Sequence, residues 1–159
     1  MPVALGSEIL MAGSEAGRPA LFATDGSSVR LVRSFAAYGG PGTLVRLGER
    51  VAFILSQGLT GPVELWITDG TTGGTQSLQT LASIEAMIRW RDRVWFVARS
   101  SSTSSPAEVW SSDGTTTGTG LYAPLVAPAV FPGLFATQDR LFALTVHDLL
   151  LFDGQSPVP

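Results

Sequence analysis

Short apolar stretches alternate with glycine, proline and Asp-Gly turns along the whole chain. The stretches are about 4–8 residues long and rich in valine, leucine, phenylalanine, tryptophan and threonine, which is typical of β-strands. In the second quarter of the chain this pattern predicts four strands, over residues 43–47, 50–56, 64–68 and 75–80. The intervening turns are short enough for an antiparallel meander. No segment sustains the apolar stripe of a long amphipathic helix, so we predict an all-β protein.

Two sequence markers recur in alternation. The first is an apolar segment that ends in Asp-Gly, with its aspartates at Asp25, Asp69, Asp113 and Asp153, which are 44, 44 and 40 residues apart. The second lies over residues 48–53, 91–96 and 138–143, with a degenerate copy at 6–11. A period of this length with four strands per unit is typical of one propeller blade. We therefore predict a β-propeller of four-stranded antiparallel blades, four blades per chain.

The predicted blades lie at about 3–35, 43–82, 86–126 and 133–158, within a single β-propeller domain over residues 1–159. Four blades is the small limit of the propeller range. The alternative is that the chain is half of an eight-bladed ring closed by a homodimer.

The Asp-Gly pairs are interpreted as turns, because an aspartate side chain accepts hydrogen bonds from backbone N–H groups ahead of it and glycine supplies a positive φ. The weaker alternative is a calcium site in these oxygen-rich loops. Each loop has one carboxylate, whereas calcium takes six to eight oxygen ligands. The candidates for either role are Asp25, Asp69, Asp113 and Asp153.

A large apolar side chain stands three residues before each of these aspartates. The four are Phe22, Trp66, Trp110 and Leu150. Apolar groups at a repeated position pack one sheet against the next, so we predict that they belong to the blade core. The alternative is a stacking platform for sugars, which requires exposed rings.

Arginines also recur at fixed positions. Arg46 and Arg89 are equivalent in the first strand of their blades, which in propellers usually lines the central channel. Three more begin second strands, at Arg50, Arg93 and Arg140. Such placement predicts ion pairs with Glu49, Asp92 and Asp139, or else an anion-attracting channel. The single histidine, His147, is interpreted as a surface turn residue.

Composition narrows the chemistry. The ten basic residues are all arginine against 13 acidic residues, for a net charge of −3, and there is no cysteine, lysine or asparagine. Disulfides, thiolate nucleophiles, cysteine-bound metals, Schiff bases, P-loops and N-glycosylation are therefore excluded. The acidic balance argues against nucleic acid as a partner. No cofactor, signal peptide or membrane segment is predicted, and the sequence does not indicate a compartment.

Residues 64–75 and 108–119 spell ELWITDGTTGGT and EVWSSDGTTTGT. Both resemble the bacterial repeat proteins named for the motif ELWxxDGTxxGT. The first repeat departs after Asp25-Gly26, and the last keeps only Asp153-Gly154. The resemblance implies a β-propeller-like repeat fold and a family often exported or found on the bacterial surface. It implies no catalytic residue.

Three functions are consistent with this pattern. The first is a non-catalytic repeat scaffold or binding module for an unknown protein or carbohydrate, because no reaction motif is visible. The second is a glycan-active hydrolase or lyase with carboxylates at the channel mouth. The third is a purely structural propeller fragment or ancestor-like repeat array. We predict the first, and hence a protein that is not an enzyme.

Overall fold

The structure is a computed structural model that describes residues 2–36, 39–58, 60–125, 133–144 and 149–152. Fifteen β-strands account for the regular secondary structure of these residues. None of the described residues belongs to a helix long and apolar enough to cross a membrane.

The strands form four sheets, which we number as blades 1 to 4 in chain order. Blade 1 contains β1 (Val3–Leu5), β2 (Glu8–Glu15), β3 (Arg18–Thr24) and β4 (Val29–Ser34). Blade 2 contains β5 (Pro41–Leu47), β6 (Arg50–Ser56), β7 (Val63–Thr68) and β8 (Gln76–Leu81). Blade 3 contains β9 (Ser83–Trp90), β10 (Arg93–Arg99), β11 (Glu108–Ser112) and β12 (Gly120–Pro124). Blade 4 contains β13 (Gly133–Ala136), β14 (Leu141–Leu144) and β15 (Leu149–Phe152).

Each sheet is a meander in which neighbours in sequence are neighbours in space. Its adjacent strands pair antiparallel, as the short turns predict. Blades 1 to 3 have four strands and blade 4 has three within the described residues. The predicted last strand of blade 4 and Asp153 fall in 153–159, outside the described residues. The strands of blades 1 to 3 span 3–34, 41–81 and 83–124. The predicted end of blade 4, at 158, lies outside the described residues.

The chain divides into two compact units, residues 1–80 and 81–159. The interpretation of the chain as a single domain stays a prediction. In unit 1 a buried apolar cluster lies between blades 1 and 2. Alternation along the strands creates it, because every second residue of a strand points to the same face. Its largest fully buried members include Leu10, Leu21, Phe53 and Leu55.

Unit 2 has its own core between blades 3 and 4. Trp95 packs edge-on against Trp90 and Tyr122, with ring centroids 5.6 and 4.8 Å away. The indole N–H of Trp90 donates to the carbonyl of Thr137 at 2.9 Å, which joins the two blades. The indole N–H of Trp95 is buried and donates to no acceptor among the described residues.

Candidate functional site

The Asp-Gly loop of blade 2 is held by its own side chains. Asp69 Oδ1 accepts hydrogen bonds from the backbone N–H and the hydroxyl of Thr71, at 2.8 and 2.7 Å. The hydroxyls of Thr68 and Thr75 bond to each other at 2.7 Å, and Thr68 Oγ1 also accepts from the N–H of Gly70. Gly70 has a φ of 89°, which favours glycine. The turn is thus held by hydrogen bonds among the loop's own groups.

The second glycine of the motif touches the aspartate directly. The N–H of Gly74 donates to Thr71 Oγ1 at 3.0 Å, and this places its Cα against the Asp69 side chain. A Cβ built on Gly74 would overlap the carboxylate, whereas one on neighbouring Gly73 would meet open space. The motif therefore requires glycine at position 74 for close packing.

Blade 3 repeats this arrangement. Asp113 Oδ1 accepts from the N–H and hydroxyl of Thr115, at 2.9 and 2.7 Å, and a Cβ on Gly118 would overlap Asp113. Blade 1, which lacks the Gly-Thr pair, uses a shorter version. There Asp25 Oδ1 accepts from the N–H groups of Ser27 and Ser28, at 2.9 and 2.8 Å.

The glutamate that opens the motif orients the tryptophan two residues later. Glu64 accepts from the indole N–H of Trp66 at 2.9 Å, and Glu108 accepts from that of Trp110 at the same distance. Trp110 stacks on buried Phe96, with ring centroids 6.2 Å apart. This role of the glutamates was not predicted from the sequence, although their recurrence is visible there.

The four predicted core residues are all half-buried. Trp66 packs against the core of unit 1 and Leu150 against that of unit 2. Phe22 pairs with Met11 across strands on the face of blade 1 that points away from blade 2. The ring of Trp66 is already covered by Phe53, Phe35 and the guanidinium of Arg33.

The outer strand of blade 1 docks onto the motif loop of blade 2. Thr72 Oγ1 donates to the carbonyl of Val32 at 2.8 Å. In the opposite direction, Arg30 donates to the carbonyl of Gly70 at 2.7 Å and Arg33 to that of Thr75 at 2.9 Å. Neither arginine was predicted as a site residue, because neither belongs to a recurring sequence marker. The loop is therefore also a clamp between the two blades.

A polar cleft of about 360 Å³ lies in unit 1 beside these loops. Its walls combine the first turn of blade 1 with carboxylates from both blades. The lining residues are Leu5, Gly6, Ser7, Glu8, Asp25, Glu49 and Asp69. Glu49 is exposed and makes no hydrogen bond or ion pair within the part of the chain that the structure describes. The two aspartates were predicted from the sequence as turn residues, but the cleft was not predicted.

The three other carboxylates of the cleft all have lowered pKa values. A hydrogen bond from Arg30 lowers the pKa of Glu8, and the two groups form an ion pair at 2.5 Å. Backbone hydrogen bonds from Ser28 and Ser27 lower the pKa of Asp25 to about 2. The Thr71 hydroxyl, followed by its N–H, lowers the pKa of Asp69. These three groups are therefore anions at neutral pH.

The recurring arginines bind mainly to carbonyl groups. Arg46 donates to the carbonyl of Gly48 at 2.9 Å, and Arg89 donates to that of Arg91 at 3.1 Å. Arg93 donates to the carbonyl of Gly118 at 2.5 Å. Its ion pair, at 4.0 Å, is with the motif residue Asp113. The prediction of Asp92 as its partner was wrong, because the side chain reaches across to the loop of its own blade.

Among the described residues, no group of three or more histidine, aspartate or glutamate side chains is arranged to hold a metal ion. The calcium alternative at Asp25, Asp69 and Asp113 thus gains no support from neighbouring carboxylates. His147 lies outside the described residues.

No protein-family model matches the chain. No curated protein matches it either.

Solved structures match its fold. The β-propeller domain of the Trilobed protease from Pyrococcus furiosus superposes with a TM-score of 0.67 at 11% identity, over 96% of this chain and 53% of that one. Pyrococcus horikoshii acylaminoacyl peptidase superposes with a TM-score of 0.64 at 10% identity, over 96% of this chain and 30% of that one. An acylaminoacyl peptidase in complex with a chloromethyl ketone superposes with a TM-score of 0.64 at 11% identity, over 97% of this chain and 30% of that one.

These likenesses and the four meander sheets establish a β-propeller module with four blades per chain. The chain spans about half the length of the matched propeller domain, and under a third of each matched peptidase chain. At such low identity the likeness extends to the fold alone.

Proposed function

We propose that this chain is a non-catalytic β-propeller binding module whose acidic cleft receives a cationic group of a protein partner. The proposal rests on the carboxylates that line one cleft, Asp25, Glu49 and Asp69, together with Glu8, whose charge is already paired with Arg30. A cleft lined by one sign of charge attracts groups of the opposite sign. An arginine-rich or lysine-rich segment is the ligand chemistry that such a cleft suits.

The pKa values argue for binding and against acid–base catalysis. A glycan hydrolase needs one carboxylic acid with a raised pKa to protonate the leaving group. In this cleft the pKa values of Glu8, Asp25 and Asp69 are all lowered by hydrogen bonds. Such fixed anions serve electrostatic recognition better than proton transfer.

The rings of the repeated tryptophans do not favour a carbohydrate platform. Sugar stacking requires an open ring face, and Trp66 is only partly exposed, with Phe53 stacked on it and Arg33 over it. A protein partner that brings positive charge to the cleft is therefore the better-supported ligand.

The proposal is tested with an octa-arginine peptide by isothermal titration calorimetry. We expect binding that weakens as salt is raised, because exposed charges are screened. Replacing the exposed Glu49 by glutamine should weaken binding by about two- to fivefold, the scale of one solvent-exposed charge pair.

Glu15→Gln is the matched control. It removes the same charge at the other end of β2 from Glu8, about 24 Å away at the usual rise per residue. Equal losses in Glu49→Gln and Glu15→Gln would mean that the peptide senses only net charge. That result, or an absence of binding at low salt, would contradict the proposal.

A further inference from the structure

Exposed large apolar side chains are concentrated on two sheet faces. Eight such residues are exposed in the described structure, and seven of them lie on the first or the last blade. On blade 1 they are Ile9, Val29 and Leu31, at 45, 66 and 43% exposure. On blade 4 they are Phe135, Leu144, Leu149 and Leu151, at 56, 44, 61 and 42% exposure.

Strand register places each set on one face. In blade 1, Ile9 lies in a cross-strand row with Thr24 and Val29, and Met11 lies in the next row of that face with Phe22 and Leu31. We call this surface the back face of blade 1. It is the side opposite to Leu10 and Ala23, which are buried against blade 2.

In blade 4, Phe135 pairs with Phe142, which pairs with Leu151. Leu144 and Leu149 pair in the next row of the same face. We call this surface the front face of blade 4. It is the side opposite to Leu141 and Ala143, which belong to the core of unit 2.

The repeat shows what the front face is built to contact. Counted from the markers, Phe135, Phe142, Leu149 and Leu151 of blade 4 correspond to Val3, Leu10, Leu21 and Ala23 of blade 1. Those four residues of blade 1 pack in the cluster between blades 1 and 2. The front face of blade 4 is therefore equivalent to the face with which blade 1 contacts the next blade of the chain.

The back face of blade 1 is the other half. Its residues Ile9, Met11 and Phe22 correspond to Val51, Phe53 and Trp66 of blade 2. In blade 2 these residues pack against blade 1, and Val51 and Phe53 are fully buried there. The cross-strand pairs agree with this correspondence, since Met11 pairs with Phe22 as Phe53 pairs with Trp66.

We propose that the front face of blade 4 packs against the back face of blade 1 of a second copy of this chain. The two faces are complementary to each other rather than to themselves, so the contact is head-to-tail, and such contacts form rings when the rotation closes. Two copies supply eight blades. The chain matches 53% of a solved propeller domain, so two copies approximate the length of that domain. This interface is separate from the acidic cleft and goes beyond the proposed binding function.

The test is sedimentation equilibrium of the full chain over a range of concentrations. We expect a mass of two chains of 16.7 kDa for the wild-type protein. Leu149→Glu on the front face and Ile9→Glu on the back face should each reduce the mass to one chain, because each buries a charge in the interface. Their counterparts in the interface between blades 1 and 2, Leu21 and Val51, are fully buried. Leu121→Glu is the matched control, since Leu121 is 52% exposed but belongs to neither face.

A mixture of the two variants tests whether the contact is head-to-tail. Leu149→Glu and Ile9→Glu chains combined should again sediment as two chains, because one of the two interfaces in the mixed pair is formed by two native faces. Circular dichroism and thermal melting establish that each variant is folded, and Met11→Glu replaces Ile9→Glu if the latter is not. A wild-type mass of one chain at every concentration would overturn the proposal. So would a mass of two chains that neither face variant reduces, or one that Leu121→Glu reduces equally.

Discussion

At the scale of single residues, the repeat motif is a folding device. Its polar side chains have partners close by, as Asp69 has in Thr71 within the loop and Trp66 has in Glu64 of the same strand. The second glycine is needed because the carboxylate occupies the space of its Cβ. These contacts recur in blade 3.

Gly74→Ala should destabilise the protein by about 1–3 kcal/mol, the usual cost of overpacking. The added methyl group must displace the Asp69 carboxylate and with it the hydrogen bonds from Thr71. Urea unfolding measures the change. Gly73→Ala is the control, because its Cβ meets open space. Equal stabilities of the two variants would refute the close-packing argument.

The lowered pKa of Asp69 predicts a loss of stability in acid. The folded-state pKa lies below the ordinary 3.8, so the carboxylate stabilises the fold above that pH. The contribution is lost as pH falls through the folded-state value. We expect the unfolding free energy, measured from neutral pH to about pH 3, to decrease once the pH is below about 4. The decrease should be smaller in Asp69→Asn. The control Asp92→Asn alters an exposed carboxylate that makes no hydrogen bond within the described residues. Its unfolding free energy should decrease with falling pH as steeply as that of the wild type.

At the scale of elements, the strands follow from the sequence but the contacts between sheets do not. The observed β6 has the predicted bounds, and β5, β7 and β8 differ from theirs by one or two residues. The clamp between β4 and the motif loop was not predicted, because Arg30, Arg33 and Thr72 come together only when two blades pack.

Thr72→Val should lower the unfolding free energy by about 1 kcal/mol, the net value of one hydrogen bond, since it leaves the carbonyl of Val32 without its hydroxyl donor. For a chain of this size that corresponds to about 2–4 °C in melting temperature. Thr80→Val makes the same chemical change at an exposed strand position and should be neutral. If both variants melted at the wild-type temperature, the clamp would not contribute to the stability of the fold.

At the scale of the whole molecule, the repeat predicts four blades, and the four sheets agree with it. Compaction into two units, each with a core between two sheets, was not predicted, since every blade carries similar apolar positions on both of its faces. The sequence therefore does not tell which faces are left exposed. The structure identifies them as the back face of blade 1 and the front face of blade 4.

The sequence alone determined the strands, the turns and the repeat, because alternation of apolar residues and Asp-Gly turns act over a few neighbouring residues. It also excluded much chemistry through the absence of cysteine, lysine and asparagine. Only the tertiary structure decided that carboxylates from two blades share a cleft, and which apolar faces remain uncovered. Both features depend on contacts between residues far apart in the chain, whose geometry is set by the packing of one sheet on another.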